Sequence, residues 1–118
     1  MTQALDQVRA AALDLPETEE RLFHGQPTFF VAGKQFAQFR DNHHGDGKTV
    51  VCVRVSGLDE QAMLLEADPD SYSKPAYLPS WLSINLAGEN VDWTHVADRI
   101  AASWELAAPR RLLEAGGR

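Results

Sequence analysis

The stretch "RLFHGQPTFFVAGKQFAQFRD", residues 21–41, decides the fold. Its aromatic and β-branched residues come in short runs divided by turn formers, the composition of strands rather than helix. Within it, "PTFFVAGKQFAQF" reads as a β-hairpin, because Gly33 takes the positive φ of a tight turn without steric cost. Just upstream, His24, Gly25 and Pro27 fall within four positions. Gly25 supplies conformational freedom and Pro27 fixes φ, so this corner reads mainly as a turn leading into the hairpin. His24 is kept as a candidate pocket-lining or contact residue. Downstream, "RDNHHGDGK" is a polar turn and "KTVVCVRV" the next strand. Period-2 alternation puts Thr49, Val51, Val53 and Val55 on one face of it, with Lys48, Cys52 and Arg54 on the other.

Outside this region the spacing becomes helical. Leu5, Val8, Ala12 and Leu15 form one apolar stripe, and Pro16 ends the helix. "ETEE" is expected to be an acidic connection. Ser56, with Asp59 three residues on, is the expected cap of a second helix whose buried stripe would be Leu58, Ala62 and Leu65. The proline-rich "DPDSYSKPAYLPS" reads as an extended loop. "WLSINLA" reads as a half-buried strand, with Trp81, Ser83 and Asn85 opposite Leu82, Ile84 and Leu86. Asp92 is the expected N-cap of a last helix carrying Trp93, Val96, Ala97, Ile100 and Trp104 inward, and Pro109 interrupts it before "RRLLEAGGR". The order α-β-β-β(-β)-α-β-α predicts one α+β domain over residues 1–118. It has two layers, with helices on one face of an antiparallel sheet and the other face turned to solvent or a partner.

Bulk properties agree with one folded domain. The chain has 118 residues, 44% apolar and 24% charged, enough for a core without disulfides or structural metal. Cys52 is the sole cysteine and sits in an apolar run, so it reads as a buried, inert thiol. No run approaches the ~18 apolar residues of a membrane span, and the N-terminus lacks a signal-peptide core. A cytoplasmic location is the expectation. The net charge of −6 opposes a surface covered in phosphate-binding groups, yet residues 21–56 carry five cations against two acids.

Searching for chemistry gives mostly structural readings. His24, His43, His44 and His95 show no metal-ligand spacing, and Asp41, His43, His44 and Asp46 in one turn read as solvated turn residues. The acidic runs read as solvated faces. No nucleophile motif is present, and "GDGKT" precedes a strand rather than the helix that a phosphate loop needs. Neither enzyme activity nor a cofactor or metal is expected. Trp93 and Trp104 belong to the core, whereas Trp81 shares the polar side of its strand and is a candidate contact surface. Arg40, Lys48 and Arg54 flank one turn and could share a cationic face, with Arg110 and Arg111 as a second pair.

Several segments match a known pattern together. "HGQPTF" resembles the W-G-x-P-x-F stretch of MmcQ/YjbR-like proteins, with His24 where that pattern has tryptophan. "GKQFAQF" and "SWLSINL" are similar to the family's strands, "DPDSYSKPAYLPS" to its D-P-x-x-F/Y segment, and "AAPRRL" to its A-P-K-R-L-like ending. The resemblance spans nearly the whole chain. It implies a frataxin-like α+β topology and a double-wing DNA-binding role, and it brings no catalytic residues. The leading expectation is therefore a non-enzymatic protein that binds DNA weakly through Arg40, Lys48, Arg54, Arg110 and Arg111. The alternative is a protein- or small-ligand-binding module using the open sheet face and Trp81. Iron handling by the acidic N-terminal helix and "ETEE" comes third, implied only by the frataxin-like topology.

Overall fold

Two tight hairpins organise the molecule. The computed structural model describes residues 2–42, 45–88 and 90–115. Strand β1 (Thr18–Phe23) turns into β2 (Gln26–Val31) through His24 and Gly25, and β2 turns into β3 (Lys34–Asp41) through Ala32 and Gly33. All four turn residues have positive φ, from 50° at Ala32 to 81° at Gly33. That pairing is the type I′ geometry whose twist suits two-residue hairpins, and it explains the glycine second in each turn. Strand β4 (Thr49–Arg54) pairs antiparallel with β3, and β6 (Trp81–Asn85) with β4. A two-residue strand β5 (Tyr72–Ser73) closes the far edge, giving the order β1-β2-β3-β4-β6-β5.

Helix α1 (Thr2–Leu13) and helix α3 (Trp93–Ala107) pack on the inner face of this sheet. Their stripes were expected from the apolar spacing: Val8, Ala12, Ile100 and Trp104 are fully buried. They meet Phe29, Phe36, Ala37, Val51, Val53 and Leu82 in one continuous core. Asp92 caps α3 as expected, accepting the His95 N–H at 3.1 Å. The α+β two-layer architecture is thus as its sequence pattern indicates.

Six local expectations change. "ETEE" is not a loop, because β1 starts at Thr18 and two of the three acids are tied down. Glu20 accepts two hydrogen bonds from Arg9 at 2.8 and 2.9 Å, and Glu17 accepts two from Arg111 at 2.9 Å. Helix α2 (Leu58–Ala67) is capped by Gly57 rather than Ser56. It turns Gln61 inward, with Leu64 and Leu65 half-buried, while Leu58 is 65% exposed. Gln61 anchors it by donating to the Trp81 carbonyl at 2.7 Å, a polar contact that apolar periodicity does not register. The proline-rich segment contains β5, and the tail after Pro109 folds as a short helix, α4 (Arg110–Glu114). The outer face is also not open, because the segment between β5 and β6 covers part of it.

At the start of α2, Glu60 rather than Asp59 reaches back, accepting the Ser56 N–H at 2.7 Å. That backbone hydrogen bond is the main cause holding its carboxyl below the ordinary 4.5, with the Ser56 hydroxyl and the Arg99 charge adding to it against partial burial. A depressed folded pKa means the stabilisation is complete above the unfolded value and is lost as pH falls through the lower folded one. Glu60→Gln is therefore expected to cost about 0.5–1 kcal/mol at pH 7, the scale of a helix-start contact. The difference from the parent should close in acid. Urea unfolding of both proteins at pH 7 and pH 3 measures it, and a pH-independent gap would contradict this origin.

Candidate ligand cleft on the outer sheet face

A β-bulge determines which side chains reach the outer face. Phe29 pairs with Ala37 but Phe30 pairs with Gln35, so β3 carries one extra residue, Phe36. Phe36 and Ala37 both turn into the core. The alternation is reset beyond them, and Gln38 and Arg40 emerge outward beside Gln35. Across the sheet the outer positions align in register as Arg21, Thr28, Gln38, Cys52, Ser83 and Ser73. Arg40 lies opposite Val50, and Arg54 opposite Trp81.

The segment between β5 and β6 folds across part of this face. Leu78 packs on a small second cluster of Val50, Cys52 and Trp81, and the Ala76 carbonyl accepts a hydrogen bond from Arg40 Nη1 at 3.0 Å. Arg40 is consequently only 6% exposed. Its Nε donates to Gln38 Oε1 at 2.8 Å, and Gln38 Nε2 donates to Thr28 Oγ1 at 3.0 Å. Among the described residues, no carboxylate forms an ion pair with Arg40. A buried cation held only by neutral acceptors is costly, since buried charges are normally paired.

Beside it opens a cleft of about 440 Å³. Its floor is Gln35, Gln38 and Arg40, and its walls are Phe23, His24, Gln26, Tyr77 and Leu78. Phe23 stacks edge-on against His24, with ring centroids 4.3 Å apart, and lies 6.4 Å from Phe30. The Arg21 guanidinium sits 4.1 Å over the Phe30 ring. Two of the walls rest on left-handed backbone: φ is 54° at His24 and 65° at Tyr77. For a bulky aromatic residue such as tyrosine that conformation is a genuine outlier, and strain of this kind gathers at binding sites.

Other openings are less suited to a ligand. The cleft of about 640 Å³ between α2, β5 and the start of α3 is larger. Many of its polar groups already serve local structure. Tyr72 and His95 share a hydrogen bond, Asp68 and Asn85 each accept a nearby backbone N–H, and Asp92 caps α3.

Of the sequence-predicted site residues, His24 and Arg40 share one cleft, Arg40 and Lys48 share a smaller one beside it, and the rest lie apart. His24 lines the cleft and Arg40 forms its floor. Lys48 stands exposed in the turn before β4. Arg54 is turned sideways, donating to the Gln35 carbonyl at 2.8 Å and lying 5.0 Å over the Trp81 ring, and burial lowers its pKa. Trp81, expected on an exposed face, is 7% exposed beneath Leu78. Arg110 and Arg111 sit on α4, paired with Glu114 at 2.7 Å and Glu17 at 2.9 Å. Since the neighbouring Leu112 packs into the inner core, this pair does not join Arg40 and Arg54 on one surface. Cys52 lies in the outer-face cluster, where desolvation pushes its thiol up to about 11 and keeps it protonated and inert at neutral pH. His43 and His44 lie outside the described residues. Among the described residues, no three of His, Cys, Asp or Glu are placed to share a metal ion. Gln35, Gln38 and Tyr77 were missed. The polar residues inside "KQFAQFR" were the available signal for the glutamines, but only the bulge reveals their common face.

A six-stranded antiparallel sheet, backed by helices and bearing its cleft on the opposite side, defines a two-layer α+β protein. The family model described as YjbR matches residues 13–106, and the chain belongs to the YjbR family. The crystal structure of Deinococcus radiodurans protein DR2400, which carries a DUF419 domain, is similar with a TM-score of 0.73 at 19% identity. The match covers 91% of this chain and 80% of that one, and at this identity it speaks to the fold alone. No curated protein matches the chain. Among the described residues, no helix is long and apolar enough to cross a membrane.

Proposed function

We propose that this YjbR-family protein is a non-enzymatic binding protein whose site is the outer-face cleft, and that its ligand presents a flat aromatic group with an attached anion. The observation that carries this reading is Arg40: a guanidinium 6% exposed, met by an amide oxygen and a carbonyl, at the floor of an aromatic-walled cleft. An anion would supply the counter-charge, and Phe23, His24 and Tyr77 would enclose the ring. The buried thiol fits a reducing, cytoplasmic setting.

The DNA reading is the weaker one for this chain. It needs a shared cationic surface, but Arg40 and Arg54 are turned into the fold and Arg110 and Arg111 are already paired with carboxylates. What favours it is a smaller group of cations, Lys48 and Lys74 beside Arg40.

Benzoate serves as the probe. Titrated into ¹⁵N-labelled protein, it is expected to shift the amides of Phe23, His24, Arg40 and Tyr77. Tyr77, 79% exposed, can be truncated without disturbing the core. Tyr77→Ala should weaken binding roughly five- to a hundredfold, the loss of about 1–3 kcal/mol of stacking. Shifts that map elsewhere, or an unchanged affinity in Tyr77→Ala, would sink the reading.

A further inference from the structure

A second cleft of about 290 Å³ adjoins the first and shares Arg40 and Tyr77 with it. Its character is different. Lys48 enters from the turn before β4 and Lys74 from the segment after β5, with the Ser73 and Ser83 hydroxyls between them. Asp46 stands on its rim, its Oδ1 accepting the Lys48 backbone N–H at 2.8 Å. Three cations thus face one carboxylate in a protein that is acidic overall. Among the described residues, neither lysine is in an ion pair. Arg40 spends two of its five N–H donors on Gln38 and Ala76.

We infer that the ligand is a phosphate monoester of an aromatic nucleoside, a free mononucleotide, with its base in the aromatic cleft and its phosphate in the cationic one. This deepens the proposed function and rests on it. The charge selects phosphate over carboxylate: a monoester carries about −1.5 to −2 near pH 7, which balances the surplus of two, whereas a carboxylate balances half. The arrangement selects a bipartite ligand, because Arg40 and Tyr77 line both clefts, so one molecule with a sugar joining its ring to its phosphate would span them. The dimensions select one nucleotide rather than a strand, since the two clefts abut and each is of small-ligand size. On the floor, the Gln35 side chain gives an amide donor and acceptor suited to the edge of a base.

The test compares four probes by calorimetry and amide-shift mapping: thymidine, thymidine 5′-monophosphate, inorganic phosphate and an octathymidylate. The monophosphate is expected to bind at least about tenfold more tightly than thymidine, as one or two charge-assisted hydrogen bonds would give. In Lys48→Ala/Lys74→Ala, which alters only exposed side chains, that advantage should shrink to less than about threefold. Raising the salt should shrink it in the parent protein too. A monophosphate no tighter than thymidine would overturn the inference while leaving the cleft reading intact if benzoate still maps to Tyr77 and Arg40. Binding of inorganic phosphate alone, as tight as the monophosphate, would also overturn it by removing the base. An octathymidylate more than tenfold tighter than the monophosphate would replace the mononucleotide with a nucleic-acid strand. If no aromatic probe moves the cleft, the proposed function falls as well.

Discussion

Replacing Trp104 with alanine is expected to remove about 3–5 kcal/mol of folding stability, the cost of emptying a large buried aromatic site. Trp104 is fully buried on α3 at the centre of the inner core. It also ties the helix to the α1–β1 junction, with Nε1 donating to the Pro16 carbonyl at 3.1 Å. Truncation removes the packing and the bond together. Because α1, α3 and β1 converge there, the cavity cannot collapse without shifting the sheet. A domain of this kind has about 5–15 kcal/mol in total, so the variant should sit near the margin of folding. Urea unfolding of parent and variant measures the difference, and a loss below about 1 kcal/mol would mean that α3 is not the anchor described here.

Arg40→Met should behave in the opposite way. Methionine fills similar space without a charge, and relieving a buried, unpaired guanidinium is worth as much as several kcal/mol. Against that, Gln38 Oε1 and the Ala76 carbonyl each lose a donor, at about 1–3 kcal/mol apiece where water cannot reach. Ala76 is exposed and can be rehydrated, so mainly the glutamine stays unsatisfied. The two effects nearly cancel, and stability should change by no more than about 1 kcal/mol in either direction. Binding of benzoate or thymidine 5′-monophosphate should fall by about thirtyfold or more, since the charge-assisted contact to the anion is gone. A residue kept for binding shows this pattern, with affinity lost and stability retained. The reverse result, a loss above about 2 kcal/mol with binding intact, would make Arg40 a structural residue.

Much of the architecture was legible because it rests on local rules. The hairpin at Ala32 and Gly33 is signalled by its turn chemistry, and the stripes of α1 and α3 by their spacing. The α2 stripe was misread because Gln61, a polar residue, makes the anchoring contact, and apolar periodicity carries no weight for a buried hydrogen bond. β1 was placed three residues late because "TEER" is polar. Glu20 faces Arg9 of α1, and Glu17, just ahead of the strand, faces Arg111 of α4, partners that no local pattern connects. Ser103 shows the same gap. It is fully buried on α3, accepts the Arg54 N–H at 2.8 Å and donates to the Phe36 carbonyl at 2.5 Å. Nothing local in "AASWEL" announces that role. For the site, His24 and Arg40 were named from sequence, but their meeting with Tyr77 depends on how the segment after β5 crosses the sheet. The expected cationic face is divided: Arg40 and Lys48 share one cleft while Arg54, Arg110 and Arg111 are engaged elsewhere, because net charge in a window says nothing of where each side chain is directed.

The extra residue in β3 has a consequence for how this chain tolerates change in length. Strand side chains alternate, so one inserted residue inverts inside and outside for everything beyond it. Phe36 is such an insertion. Excise it, and either the strand keeps its pairing to β4 and loses a core aromatic, or the phase slips and Arg40 points inward while Phe39 meets solvent. Binding chemistry and hydrophobic packing are thus written on the same strand in two phases, and a single residue marks where one hands over to the other. In related chains, the length of the segment between the Ala32–Gly33 turn and the arginine should say more about whether the outer cleft exists than the identity of any residue in it.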